Sequence, residues 1–335
     1  MTSSITNRSL SVQQSLIKHP SLLGQTNHRM DCRAFQHQLG IRGCNDPCFN
    51  FLMNKPYSIK IFLPGGDPDG LRTIEKSNWS GAGIVIPRSL MGEAKTRREL
   101  SRTGVYVLVG PPEESGLPRV YVGEGDPIKP RLDQHAAKKD FWTSCIAFTS
   151  KDENLNKAHV QFIESRLVSL AANAKRCVLD NGNVPALPSL SEADAADAEG
   201  FLSEMMLCFP VLGMSVFTIA APAQKSAKLL YINSKGIKAE GMETHDGFVV
   251  RTGSGAVKGE VPSCHAYLKE LRTALINNGV LKPAGDGYAF AQDYVFPSPS
   301  TAAGVVQGRA ANGRVDWKTK DGKTLKDLQE AEVKE

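Results

Sequence analysis

From Tyr57 onward the chain alternates short apolar runs with turn residues, and one long stripe recurs at helical spacing. Ser58–Leu63 (S-I-K-I-F-L) alternates and predicts a strand, closed by the turn residues P-G-G-D-P-D-G. Gly83–Pro87 predicts a second short strand, and Arg88–Leu100 a basic helical connector. The β-branched and aromatic run Gly104–Gly110 and the run Arg119–Gly123 predict two strands joined by a polar loop, hence an antiparallel hairpin. A break at Gly125–Pro130 precedes a helix over Arg131–Lys139, and Phe141–Thr149 predicts a third strand. Over Asn154–Ala174, the apolar positions Val160, Ile163, Leu167, Leu170 and Ala171 share one helical face. A turn-rich link, Asn181–Leu190, leads to a helix over Ser191–Leu207 whose N-terminal half is acidic, as suits the helix dipole.

A polar joint at Gln224–Ser226 separates a last unit. There, Leu229–Ile232, Gly247–Arg251 and Tyr288–Phe290 read as strands and G-S-G-A as a loop; Tyr267–Asn277, Thr301–Gly308 and Thr324–Glu330 read as helices. The resulting plan is an extension over 1–55, a small N-terminal cap over 56–100, a central domain over 101–185, a helical linker over 186–223 and a C-terminal accessory domain over 224–331. The first 55 residues lack periodicity. They read as a disordered extension, or as the product of a start codon upstream of Met53, although Arg8, Lys18, Arg29 and the absence of acids before Asp31 also match transit-peptide composition.

Composition narrows the classes. The chain has 335 residues, 41% of them apolar and 22% charged, which is ordinary for a soluble protein. No apolar run is long enough for a bilayer, so no membrane partner is expected. The net charge of +5 is compatible with nucleic acid without requiring it. Seven scattered cysteines point to reduced thiols and a cytoplasmic setting. The spacings of His28, Cys32, His37, Cys44 and Cys48 fit no common zinc site.

Few residues stand out for chemistry. Glu164 falls on the apolar arc of its helix, where an ionised carboxylate needs a pairing partner, such as Arg131, or a bound cation. Arg131 and His135 lie at i and i+4 on one helix face, beside Lys138 and Lys139; this is either a solvated face or a phosphate clamp. Tyr106 and Tyr121 lie on the two hairpin strands, where tyrosines commonly serve the core. Their functional use requires both hydroxyls to meet Arg131 and Glu164 in one pocket.

The order of these features resembles the GIY-YIG nuclease family. Gly104-Val105-Tyr106 is similar to the first motif and Tyr121-Val122-Gly123 to the second, with Val for Ile in each. Arg131, His135 and Glu164 follow in sequence, and Asn181 in D-N-G-N matches the family's late asparagine, with Asn183 as a rival. The resemblance covers about Gly104 to Asn183. The segments D-G-F-V-V, G-S-G-A, S-P-S-T-A-A, N-G-R and W-K resemble an uncharacterised domain often fused behind such nucleases.

These likenesses imply an α+β fold: a GIY-YIG-type small antiparallel sheet flanked by helices, plus a separate, smaller α+β C-terminal domain. They imply a phosphodiester hydrolase acting on nucleic acid, DNA before RNA, with Mg²⁺ or Mn²⁺ on Glu164. Tyr106 is then the general base, favoured as phenolate by the metal, Arg131 and His135; Tyr121 orients the water and Arg131 stabilises the pentacovalent charge. The alternatives are a module on this scaffold that binds nucleic acid without cutting, and an interaction protein in which these residues are structural. Arg309, Arg314, Trp317 and Lys318 form a further basic-aromatic group: a nucleic-acid contact, or a surface around a core tryptophan.

Overall fold

The computed structural model describes residues 56–152, 154–219, 228–234 and 236–333. The expected extension over 1–55, with its His/Cys group, and the joint at Gln224–Ser226 lie outside the described residues. The chain is α+β, with antiparallel and mixed sheets flanked by helices and a sheet-rich C-terminal region.

The first sheet has seven strands, in the order β1-β2-β3-β6-β4-β5-β7. They are β1 (Ile59–Phe62), β2 (Arg72–Lys76), β3 (Gly81–Pro87), β4 (Gly104–Pro112), β5 (Pro118–Gly125), β6 (Ser144–Ser150) and β7 (Val178–Leu179). β4 and β5 form the expected antiparallel hairpin, while β7 pairs with β5 in parallel. One face carries Val85, Val105, Val107, Val120, Val122, Ile146 and Phe148 against the long helix. The other carries Ile84, Ile86, Tyr106, Leu108, Cys145 and Ala147 under Ile128 and Leu132 of the helix after the hairpin. These alternating sets are the two faces of a sheet covered on both sides.

Four helices frame this sheet: α1 (Met91–Ala94), α2 (Lys129–Lys138), α3 (Lys157–Ala174) and α4 (Glu192–Met206). On α3, Val160, Ile163, Leu167 and Ala171 are buried as the stripe predicts. Asn156 opens it with a capping box involving His159, and Lys175, in the left-handed conformation, ends it.

Two expected boundaries are corrected. Residues 56–100 are not a separate cap, because β3 pairs with β6 along its whole length and extends the same sheet. The cause is composition: G-A-G-I-V-I is apolar on both faces and needs neighbours on both edges. Nor is 186–223 merely a linker. α4 sends Ala198, Phe201, Leu202 and Met205 into the same core as α3. The basic stretch Arg88–Leu100 is likewise broken into short turns rather than one helix.

The C-terminal region contains a four-stranded and a three-stranded sheet. They comprise β8 (Leu230–Ser234), β9 (Ile237–Thr244), β10 (Gly247–Val250), β11 (Gly255–Val257), β12 (Leu281–Ala284), β13 (Gly287–Phe290) and β14 (Tyr294–Phe296). G-S-G-A therefore runs into a strand rather than remaining loop. Helix α5 (Cys208–Val211), which precedes these strands, still packs in the first core, while α6 (Ala266–Asn277), α7 (Pro299–Gln307), α8 (Gly313–Asp316) and α9 (Leu325–Glu332) belong to the C-terminal region. Trp317 belongs to this core: it is fully buried, contacts Phe248 and donates through Nε1 to the Pro299 carbonyl at 3.0 Å.

Candidate active site

Tyr106 sits in the middle of β4 and Tyr121 on β5, both on the sheet face covered by α2. Their ring centroids are 6.4 Å apart. Gly123 lies opposite Tyr106 in the ladder, and a Cβ there would stand 2.5 Å from the Tyr106 hydroxyl. The glycine of the second motif thus leaves room for the tyrosine of the first. Gly104 is equally constrained, since a Cβ there would meet the Phe148 carbonyl at 2.2 Å.

Helix α2 starts with Pro130 in its first turn and places Arg131 outward and His135 inward. The buried His135 faces both phenols, 5.7 Å from the Tyr106 ring and 4.8 Å from the Tyr121 ring, and its Nε2 lies 2.9 Å from the Tyr106 hydroxyl. Glu164 arrives from α3 and is half-buried. It forms no ion pair with Arg131, and among the described residues no hydrogen-bond donor reaches its carboxylate. Arg131 and Tyr121 nonetheless lie within its electrostatic reach.

The charges are tuned by this crowding. Burial pushes the Glu164 carboxyl up to about 7, helped by the neighbouring Glu124 and opposed by Arg131 and Lys157. Burial drives the Tyr106 phenol far above its ordinary value; Tyr121 adds to this and Arg131 opposes it. Tyr121 is also raised by burial, with Arg131 and Lys139 pulling it down. Burial, Arg131 and Lys139 lower His135 to about 4. This corrects the expected role of His135 as a positive charge favouring the phenolate. The imidazole is neutral at pH 7 and serves as a hydrogen-bond partner.

Both polar atoms of the Asn181 side chain are engaged by the β5 backbone. Its side-chain oxygen accepts from the Val122 N–H at 2.9 Å, and its amide donates to the Val122 carbonyl at 2.8 Å. The side chain replaces a strand at the β5 edge just past the end of β7, so it positions Tyr121 and Gly123 rather than acting as a catalytic residue. The rival Asn183 is exposed.

Three participants went unmarked in the sequence. Glu124 follows the second motif and pairs with Lys157 at the start of α3 at 2.6 Å. Asp180 pairs with Lys139, whose Nζ stands 4.5 Å from the centre of the Tyr121 ring. The carboxylate directly after Y-V-G was the legible signal. Lys157 and Asp180 join only through the fold.

The donor set fits a hard cation. A half-buried carboxylate with no donor, resisted by a second carboxylate, is relieved by a divalent ion that takes its remaining ligands from water or phosphate oxygens. A closed zinc-type site does not fit, because among the described residues no three His, Cys, Asp or Glu side chains gather.

Comparison with known families matches residues 230–329 to a domain of unknown function, DUF4357. The C-terminal region is thus similar to a recognised but uncharacterised domain, as its motifs imply. The match does not reach residues 101–185. No curated protein and no solved structure matches the chain. Among the described residues no helix is long and apolar enough to cross a membrane.

Proposed function

We propose that the chain is a metal-dependent endonuclease that hydrolyses phosphodiester bonds in nucleic acid, DNA in the first instance. What supports the reading is the convergence of Tyr106, Tyr121, Arg131 and Glu164 from four different elements around one spot. Glu164 would hold Mg²⁺ or Mn²⁺, which when bound supplies Lewis-acid neutralisation of the phosphate. Arg131 lies at the exposed start of α2, where its planar fork of donors can meet phosphate oxygens and the charge that grows on them.

Tyr106 would serve as the general base that takes a proton from the attacking water, its phenolate favoured against burial by Arg131 and by the bound cation. The His135 Nε2, 2.9 Å from the Tyr106 oxygen, would hold the phenol in place. The half-buried Tyr121 orients the water or a phosphate oxygen. Lys138, within electrostatic reach of His135 and without a carboxylate partner among the described residues, adds positive charge suited to a polyanion, whereas Lys139 and Lys157 are paired with Asp180 and Glu124.

The test offers single-stranded, duplex and branched DNA and RNA to the purified protein with Mg²⁺ and Mn²⁺, beside Glu164→Ala. Cleavage by the wild type alone is expected. Full cleavage by Glu164→Ala in a clean preparation rejects the assignment. Binding without cleavage by the wild type gives the site to a non-cutting module.

A further inference from the structure

The face that carries Tyr106 does not end at the hairpin. Through the ladder, Tyr106 stands opposite Ala147, Ala147 opposite Ile84, Ile84 opposite Thr73 and Thr73 opposite Phe62. The neighbouring row on the same face runs Gly104, Thr149, Ala82, Glu75, Lys60. Four strand spacings separate Phe62 from Tyr106, about 19 Å, which matches the rise of about five or six base pairs.

At its outer end this face opens as a cleft of about 520 Å³, whose walls hold Lys60, Arg97, Arg98, Arg102 and Lys151 against Glu75 and Glu99. Both carboxylates are occupied. Arg97 grips Glu99 through two nitrogens, and Lys151 holds Glu75 at 3.1 Å. Lys60, Arg98 and Arg102 are left without a carboxylate partner among the described residues. Phe62, at the rim, is 63% exposed, a large apolar ring beside unneutralised cations. A second cleft shares Arg102 and continues to Asp126 and Pro127, just ahead of the helix that carries Arg131.

We propose that this outer cleft is a nucleic-acid track: Lys60, Arg98 and Arg102 hold backbone phosphates, Phe62 stacks on a base or sugar, and the strand is led toward Arg131. Cations bordering an exposed aromatic are the combination that nucleic acid recognises, through phosphate neutralisation and stacking. The proposal rests on the nuclease reading for its direction but not for its binding.

The test measures binding of a fluorescent duplex in EDTA by anisotropy, using the full chain. Lys60→Glu/Arg98→Glu should raise Kd about tenfold and reduce the salt slope by about two, the loss of two phosphate contacts. Phe62→Ala should weaken binding with the slope unchanged. The control Lys238→Glu/Lys269→Glu, an equal charge change on exposed residues of the C-terminal region, should weaken it much less. Equal weakening by both double variants overturns the track, as does a wild type that binds no duplex. Cleavage in Mg²⁺ is read separately: an uncut substrate with the track variants still weakened removes the nuclease reading and leaves the track standing.

Discussion

Glu164 and His135 are both shifted by burial, in directions that give opposite responses to pH. The Glu164 carboxyl titrates near 7 instead of 4.5, so without metal its contribution to stability is present below about 4.5 and lost as the pH rises through about 7. His135 titrates near 4 instead of 6.5, so its contribution is present above about 6.5 and lost as the pH falls toward 4. In EDTA, Glu164→Gln should therefore melt higher than the wild type at pH 8 and equally at pH 4. A pH-independent difference in melting temperature would assign the effect to packing. With metal, activity should climb with pH around an apparent midpoint that falls as the metal concentration rises, because the ion competes with the proton on Glu164. Tyr106→Phe keeps the ring and should melt within a few degrees of the wild type while cleavage falls by at least about a hundredfold. Retained cleavage would move the base role to Tyr121.

Between residue and fold stands the β4–β5 hairpin, which owes its shape to two devices. Gly123→Ala should push a methyl into the Tyr106 hydroxyl and cost about 1–3 kcal/mol in urea unfolding, with activity lost as well. Asn181→Ala removes both bonds to Val122 and should cost about 1–3 kcal/mol. Its effect on kcat should be far smaller than that of Glu164→Ala; equal losses would return Asn181 to the chemistry. The hairpin, the α3 stripe and the motif residues were legible because period and turn chemistry mark them locally. β2 (R-T-I-E-K), β9 (I-K-A-E-G-M-E-T) and β12 (L-K-P-A) were not, since their charge, glycine and proline argue against strands and only pairing with a neighbour makes them so. The same holds for the site: Tyr106 and Glu164 announce themselves in the sequence, whereas the neutral state of His135 and the Asn181 clamp depend on burial and edge geometry.

At the scale of the molecule, the core around α3 and the core of the C-terminal region are not independent. Leu117, at the turn of the β4–β5 hairpin, is buried in the C-terminal core, and Val178 of β7 packs against it. Tyr294 donates to the Lys175 carbonyl at the end of α3 at 3.3 Å, and Gln292 donates to that of Asn173 at 3.1 Å. Calorimetry of residues 56–335 should accordingly show one cooperative transition, and two separated peaks would refute the coupling. The C-terminal region has its own keystone. Arg272, wholly buried, binds the exposed Glu260 at 2.7 Å as well as the carbonyls of Val305 and Val257, so Arg272→Ala leaves those carbonyls without a donor and should cost about 1–3 kcal/mol for each one left unsatisfied. Leu117 also gives the hairpin the anatomy of a rocker arm, with its tip seated in one body and its shaft bearing the two phenols in the other. Any force or ligand that tilts the seat will be felt at the rings, so the C-terminal region is mechanically placed to influence how the two phenols align.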